Sequence, residues 1–222
     1  MGTPRRSRLP LARVPLLLLL VAGPSGRSPA DSVVLADPAL MLTTGERVDF
    51  VGSGKLAVES SEHGTCLRST PARSATGVYQ RVEMRAERLS KVEWSWRVDR
   101  LHAHADIRDS AREDFGAKIA FVFGEPTFWS RDVPTLAYVW TSTPVPNGTI
   151  LRSSRYANLR YVQLHGPREV GSWQRERRDV DADYKAAFGT DPDRLRYVAV
   201  FNDNDQTGEA TSALFARVDI AD

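Results

Sequence analysis

"KVEWSWRVD", Lys91–Asp99, is the stretch whose reading decides the fold. It sets Val92, Trp94, Trp96 and Val98 on one side and Glu93, Ser95, Arg97 and Asp99 on the other. Successive side chains of a strand point to opposite faces, so this alternation specifies a β-strand with one apolar and one polar face. Working outward, "AKIAFVFG" (117–124), "TLAYVWT" (135–141) and "RLRYVAVFN" (194–202) are apolar on nearly both faces and rich in β-branched and aromatic residues. Such runs belong in the middle of a sandwich. Shorter runs, "ERVDFV", "KLAVES", "TCLRS", "GVYQRVEM", "LRYVQL", "SWQRERR" and "SALFARVDI", recur with Gly, Pro, Asn or Asp between them. That spacing predicts an all-β fold, an antiparallel β-sandwich of ten to eleven strands, rather than alternating strands and helices. One segment departs from it. "RRDVDADYKAAFGTDP" places Asp179, Asp181 and Asp183 where a helix N-terminus favours negative charge, with Gly189 as a stop, and predicts one short helix. The polar stretch Arg100–Glu113 reads as a surface loop.

Residues 1–30 read as a signal peptide. Four arginines, Arg5, Arg6, Arg8 and Arg13, flank "PLLLLLVA", which is far shorter than the ~20 apolar residues a membrane span needs, and "SPA" precedes Asp31 as a small-residue cleavage site. The expected location is periplasmic or extracellular, with no membrane span after cleavage. The full chain carries 30 Lys and Arg against 28 Asp and Glu, but residues 1–30 hold five arginines and no acids. Residues 31–222 are therefore slightly acidic, at 25 against 28. Nothing in that balance points to a nucleic-acid partner. Cys66 is the only cysteine, so no intramolecular disulfide can form and stability must come from burial. With no internal repeat or low-complexity linker, residues 31–222 are expected to form a single β-sandwich domain.

"WSWRV", "EDFGAKIAFVF", "LAYVWT", Trp173 followed by "ERRDVDADYKAAFG", and "NDNDQTG", in that order, resemble the secreted bacterial family known as domain of unknown function 3047. The resemblance runs from about Leu89 to Ile220. It implies an exported β-sandwich of jelly-roll type with no established activity to inherit. The family pattern has arginine where this chain has Lys118, and asparagine where it has Gln206.

Four groups of residues carry candidate chemistry. In "VFNDNDQTGEA" (200–210), Asp203, Asp205, Thr207 and Gly208 fit the first half of an EF-hand loop, but its twelfth position is Leu214 rather than a glutamate. Two readings stay open: a hairpin turn whose acids cap backbone amides, or a looser site in which Asp203 and Asp205 hold a structural calcium. The second group is a charged strand face. Alternation sets Glu93 and Arg97 opposite the tryptophans, and Glu176 and Arg178 opposite Trp173, Arg175 and Arg177. With Lys118 on the same side, Arg97, Lys118, Glu176 and Arg178 would gather near Trp140. Such a face suits a glycan or another cell-envelope polymer, with an indole stacking on a sugar ring; the alternative is an ion-pair network over a solvated sheet.

Catalysis defines the third group. A glycoside hydrolase would need two carboxyls ~5 to 9.5 Å apart, and only Glu176 with Asp114 or Asp203 can be assembled from strand order. A lyase could draw on Lys118, Arg178, Tyr138 and His165. Fourth, His102 and His104 in "LHAHAD" have a metal-like spacing, but in a loop they read as solvent-exposed. The residues favour a non-catalytic polar-ligand or glycan-binding module, with a carbohydrate-active hydrolase or lyase on the same fold as the alternative.

Overall fold

The computed structural model describes Gly2, residues 33–126 and residues 132–221, so the signal peptide expected over residues 1–30 lies outside the described residues apart from Gly2. The described residues hold thirteen strands: β1 Val33–Ala36, β2 Glu46–Val51, β3 Lys55–Ser61, β4 Gly64–Thr70, β5 Ala75–Met84, β6 Val92–Arg100, β7 Ala117–Val122, β8 Thr135–Trp140, β9 Ile150–Arg152, β10 Leu159–His165, β11 Gln174–Arg178, β12 Leu195–Asp203 and β13 Ser212–Ile220. They form two sheets. One runs β11-β6-β13-β4-β3 with β1 added on β13, and the other runs β2-β5-β12-β7-β8-β10-β9. The result is the expected all-β sandwich of jelly-roll type. Every described pairing is antiparallel except β8 with β10, which are joined by a crossover long enough to contain β9. Strands β1 and β9 were not anticipated. At four and three residues they are too short for alternation to show.

Two α-helices accompany the sheets. α2, Val180–Phe188, is the helix read from the sequence: Asp179 accepts from Ala182 N at 2.9 Å, and Gly189 ends it at φ 75°, a left-handed backbone that glycine adopts without a Cβ clash. α1, Pro38–Thr44, begins on an Asp37 side chain that accepts from Ala39 N and Leu40 N. Its Asp-Pro start is an N-cap followed by N1 proline.

The main core lies between the sheets. Trp94, Trp96, Val98, Phe215 and Val218 meet Ile119, Phe121, Leu136, Tyr138, Trp140, Val198 and Val200. Trp96 and Trp140 are fully buried with ring centroids 5.9 Å apart. Each such ring removes roughly 150–250 Å² from water, a gross hydrophobic gain of about 4–6 kcal/mol. A second apolar layer covers the other face of the seven-stranded sheet, where Ile107 and Phe115 pack on Ala120, Ala137, Val139, Tyr161 and Ala199. The segment read as a surface loop is thus partly a packed cover. His102 and Asp114 within and beside it are buried.

Candidate functional site

The residues expected to share one charged face are distributed over three surfaces. Arg97 does point outward from the six-stranded sheet, pairing with Asp99 at 2.6 Å and lying over Trp173 at 5.4 Å. Glu176 and Arg178 do not join it. In register, Glu176 stands opposite Trp94 and Arg178 opposite Val92, and directly opposed residues share a face, so both point between the sheets. The alternation within β11 is as read from the sequence; its phase is reversed because Trp173 packs outside, against Cys66, Leu214 and Ala216, instead of in the main core.

Both inward residues brace the sandwich edge. Glu176 accepts from Trp96 Nε1 at 3.1 Å and contacts His165 Nε2 at 2.5 Å. Arg178 donates twice to Asp183, at 2.9 and 2.8 Å, and Asp183 also accepts from Tyr138 Oη at 2.6 Å. Burial, reinforced by the Asp183 charge, holds the Tyr138 phenol well above its ordinary range, which leaves it a donor and not a base. Trp140 is fully enclosed, with Nε1 donating to Gly166 O at 2.9 Å, and offers no ring face to a ligand. Asp203 lies on the outer face of the seven-stranded sheet, so Glu176 and Asp203 sit on opposite sides of that sheet and cannot act as a carboxyl pair.

The acidic loop of the sequence is a set of structural pins. Asp203 accepts from Phe115 N at 2.6 Å. Asn204 accepts from Ser74 N and donates to Glu209 O. Buried Asp114 accepts from Gln206 N, Thr207 N and Thr207 Oγ1 at 3.2, 2.7 and 2.6 Å. Asp205 is bonded by the neighbouring Gln206 amide. Among the described residues no three His, Cys, Asp or Glu side chains are grouped so as to hold a metal. Burial, with the Asp114 and Asp205 charges adding to it, pushes the Asp203 carboxyl up to about 7, against the opposing pull of Lys118 and the Phe115 amide. His104 is exposed and pairs with Glu209, whereas His102 is buried, and burial lowers its pKa.

Lys118, the remaining expected residue, identifies a different face. It projects from central strand β7 on the outer side of the seven-stranded sheet. One register row across that side reads Tyr79, Ala199, Ala120, Ala137, Tyr161. The row spans four strand steps of about 4.8 Å, or roughly 19 Å; its three alanines and Tyr161 are buried in the cluster with Ile107 and Phe115, and Tyr79 at its other end is half-buried. The next row contains Gly77, Phe201, Lys118, Val139 and Gln163. Gly77 is dictated by Phe201: a Cβ there would meet the Phe201 ring at 2.4 Å and Val200 O at 2.5 Å, so the ring lies flat over the glycine. Phe50 extends the aromatic surface at 5.6 Å from Phe201, and Tyr197 stands 5.7 Å from Tyr79.

Polar groups frame this aromatic surface. Arg81 lies over Tyr197 at 5.4 Å and pairs with Glu125, which also accepts from Tyr197 Oη. Glu46 accepts from Tyr79 Oη. On the far side buried Glu113 takes the Tyr161 hydroxyl at 2.5 Å and pairs with Arg155. Lys118 Nζ sits 4.1 Å from the Phe115 centroid and 4.9 Å from that of Phe201, with no carboxylate at ion-pair distance among the described residues. Beyond Gln163 the face runs into a cleft of about 530 Å³, lined by residues 142–147, Gly166 and Arg168. A second cleft, of about 510 Å³, lies on the six-stranded sheet beside Glu93, Ser95 and Asp219. Neither cleft coincides with the part of this side that meets solvent, which is formed by exposed Phe50 and half-buried Tyr79, Tyr197, Phe201 and Lys118. The sequence did carry its signal: Ala120, Ala137 and Ala199 share one phase in their strands while Phe121, Tyr138 and Val200 share the other.

Solved structures of similar outline include a family 11 carbohydrate-binding module of a Clostridium thermocellum cellulosomal cellulase, at 9% identity and TM-score 0.44, covering 88% of this chain and 97% of that one. A cellulase derived from Rhodothermus marinus Cel12A matches at 11% identity and TM-score 0.43, over 78% and 99% of the two chains. The xyloglucanase domain of NopAA from Sinorhizobium fredii matches at 6% and 0.42, over 78% and 91%. No curated protein matches the chain. The family described as "Protein of unknown function (DUF3047)" matches residues 49–219, nearly the whole of the sandwich, and the chain belongs to it.

Proposed function

We propose that the protein is a non-catalytic glycan-binding module, acting in the cell envelope or outside it, and that the outer face of the seven-stranded sheet is its binding surface. The observation that carries this reading is the set of rings that meets solvent on that face, exposed Phe50 with half-buried Phe201, Tyr79 and Tyr197. A polysaccharide needs a shallow surface, not an enclosed pocket, and flat rings let a pyranose lie on the sheet. The hydrogen bonding of the carboxylates on this side supports binding over catalysis. Glu46, Glu125 and Glu113 are each committed to a tyrosine hydroxyl, Glu125 and Glu113 to an arginine as well, and Asp203 and Asp114 to backbone amides. A hydrolase would need a pair free to exchange protons. The arginine- and leucine-rich segment before residue 31 supports export.

The test is affinity electrophoresis of the folded protein through gels carrying single polysaccharides, with Phe201→Ala and Tyr197→Ala as variants. Removing either ring should abolish retardation by whatever polymer retards the parent protein, with circular dichroism unchanged. Equal retardation of parent and both variants would place binding elsewhere.

A further inference from the structure

Lys118 is an anomaly on this face. Among the described residues that make up the sheet's outer side, the other cations near the alanine row are engaged: Arg81 with Glu83 and Glu125, Arg155 with Glu113. Lys118 has ring faces on two sides and no carboxylate within 4 Å. Its nearest acidic neighbour in charge terms is Asp203, but one Asp203 oxygen already accepts from Phe115 N and the side chain is buried. An ammonium set between Phe115 and Phe201 is fixed in direction by cation–π attraction and partly stripped of water, which raises its value for an incoming anion. The lysine also sits in the same row as Gly77 and Phe201, directly beside the half-buried Phe201 ring on which a sugar would stack. A cleft at the end of that row is lined by Arg168 and by Glu169, whose carboxylate accepts from Gly166 N.

We infer that the ligand of this face is an anionic glycan, one bearing carboxylate or sulfate on its sugar rings, and that Lys118 receives the acid group while Phe201 carries the ring. This rests on the reading of the outer face as a glycan site. It does not follow from bulk charge. Residues 31–222 hold fewer basic than acidic side chains, so a polyanion gains no general attraction to the domain.

The experiment compares four polymers in affinity gels and by calorimetry: polygalacturonate, the same material after carboxyl reduction, chondroitin sulfate and a neutral mixed-linkage glucan. The proteins are the full chain, Lys118→Met, Lys118→Arg and Phe201→Ala, each first checked for a cooperative thermal transition. The expected result is that the parent binds polygalacturonate or chondroitin sulfate, and that binding weakens as salt is raised. Lys118→Met should lose roughly tenfold or more in affinity, as expected for one charge-assisted contact, while Lys118→Arg keeps most of it. If polygalacturonate is the ligand, carboxyl reduction should lose as much as Lys118→Met does. A preference for chondroitin sulfate that is lost on chemical desulfation, its uronate carboxylates remaining, would assign the group as sulfate. Equal affinity for the reduced or neutral polymer, or an unaffected Lys118→Met, overturns the anionic ligand; if Phe201→Ala still abolishes that binding, the glycan face itself stands. Binding that survives Phe201→Ala removes the face, and with it the inference. Retardation by none of the four polymers also counts against the inference.

Discussion

Replacing Asp203 by asparagine should remove the loss of stability that rising pH causes through this carboxyl. In the folded chain this carboxyl is pushed up to about 7 from an ordinary 3.8, first by burial, and it is only 6% exposed, so solvent screening offers little relief. A raised acid pKa means that the folded state holds the proton between about pH 4 and 7 while the unfolded chain has released it. Stability from this group is therefore full below pH 4, falls as pH rises, and is lost above 7. The whole shift, a little over three pKa units, corresponds to about 4 kcal/mol as an upper bound, of which about 2.5 kcal/mol falls between pH 5 and pH 8.

Asparagine keeps an oxygen for the Phe115 amide and never ionises. The stability difference between Asp203→Asn and the parent should therefore move in favour of the variant by about 2.5 kcal/mol from pH 5 to pH 8, or roughly 5–10 °C in Tm for a domain of this size. The comparison also cancels the other titrating groups. His102, whose pKa burial lowers, acts in the opposite sense: it stays neutral in the fold, so the unfolded chain gains the proton as pH falls below about 6.5 and stability drops. Urea melts of both proteins at pH 5, 6.5 and 8 decide the matter. Parallel curves, or a gap that closes toward pH 8, would show that Asp203 titrates as an ordinary surface acid and would refute the argument from burial.

Other substitutions test the neighbouring parts. Arg178→Ala strips both charged hydrogen bonds from the half-buried Asp183 that also serves Tyr138, and should cost about 2–3 kcal/mol in a denaturant melt while leaving glycan binding unchanged. Gly77→Ala should destabilise by about 1–3 kcal/mol and also impair binding, because its Cβ displaces the Phe201 ring; a variant with unaltered melting would show that the ring moves freely. Asp114→Ala leaves two backbone amides and a hydroxyl without their acceptor, so residues 206–208 should lose hydrogen-exchange protection ahead of the sheets. Millimolar calcium should leave Tm unmoved, since Asp203 is bound to Phe115 N; a rise abolished by Asp205→Ala would restore the cation reading of that loop.

How much of this could be read from the chain depends on the distance over which each signal acts. Strict alternation in residues 91–99 is local, and it specified β6 and the inward tryptophans. The Asp179 cap and Gly189 stop are also local, and they bounded α2. What failed was phase. Alternation says that Trp173 and Glu176 differ in face but not which of the two is inside, and the larger apolar residue was given the core. The structure settles it by tertiary context: Trp173 has its own satellite cluster with Cys66 and Leu214, which leaves the inner side of β11 to Glu176. The buried side of "RLHAHADIRD" was illegible for a related reason. Its apolar partners, Ala120, Val139 and Tyr161, come from three different strands, and no window of sequence contains them.

The same division explains why binding and stability should be separable here. Each central strand of the seven-stranded sheet sends its bulky residues inward, Ile119 and Phe121, Tyr138 and Trp140, Val198 and Val200, and these make the main core with the six-stranded sheet. The outward phase of the same strands carries alanines buried in a smaller cluster under Ile107 and Phe115, with half-buried Lys118 and Phe201 beside it. The polar braces at the β11 edge, Glu176 with His165 and Arg178 with Asp183, hold the sandwich from the inner side. Residues that confer rigidity and residues that could meet a ligand are therefore on opposite faces of one sheet. A loss of binding on changing Phe201 or Lys118 can accordingly be measured on a protein whose main, inter-sheet core is untouched, whereas any change at Trp140, Glu176 or Arg178 reports on that core first.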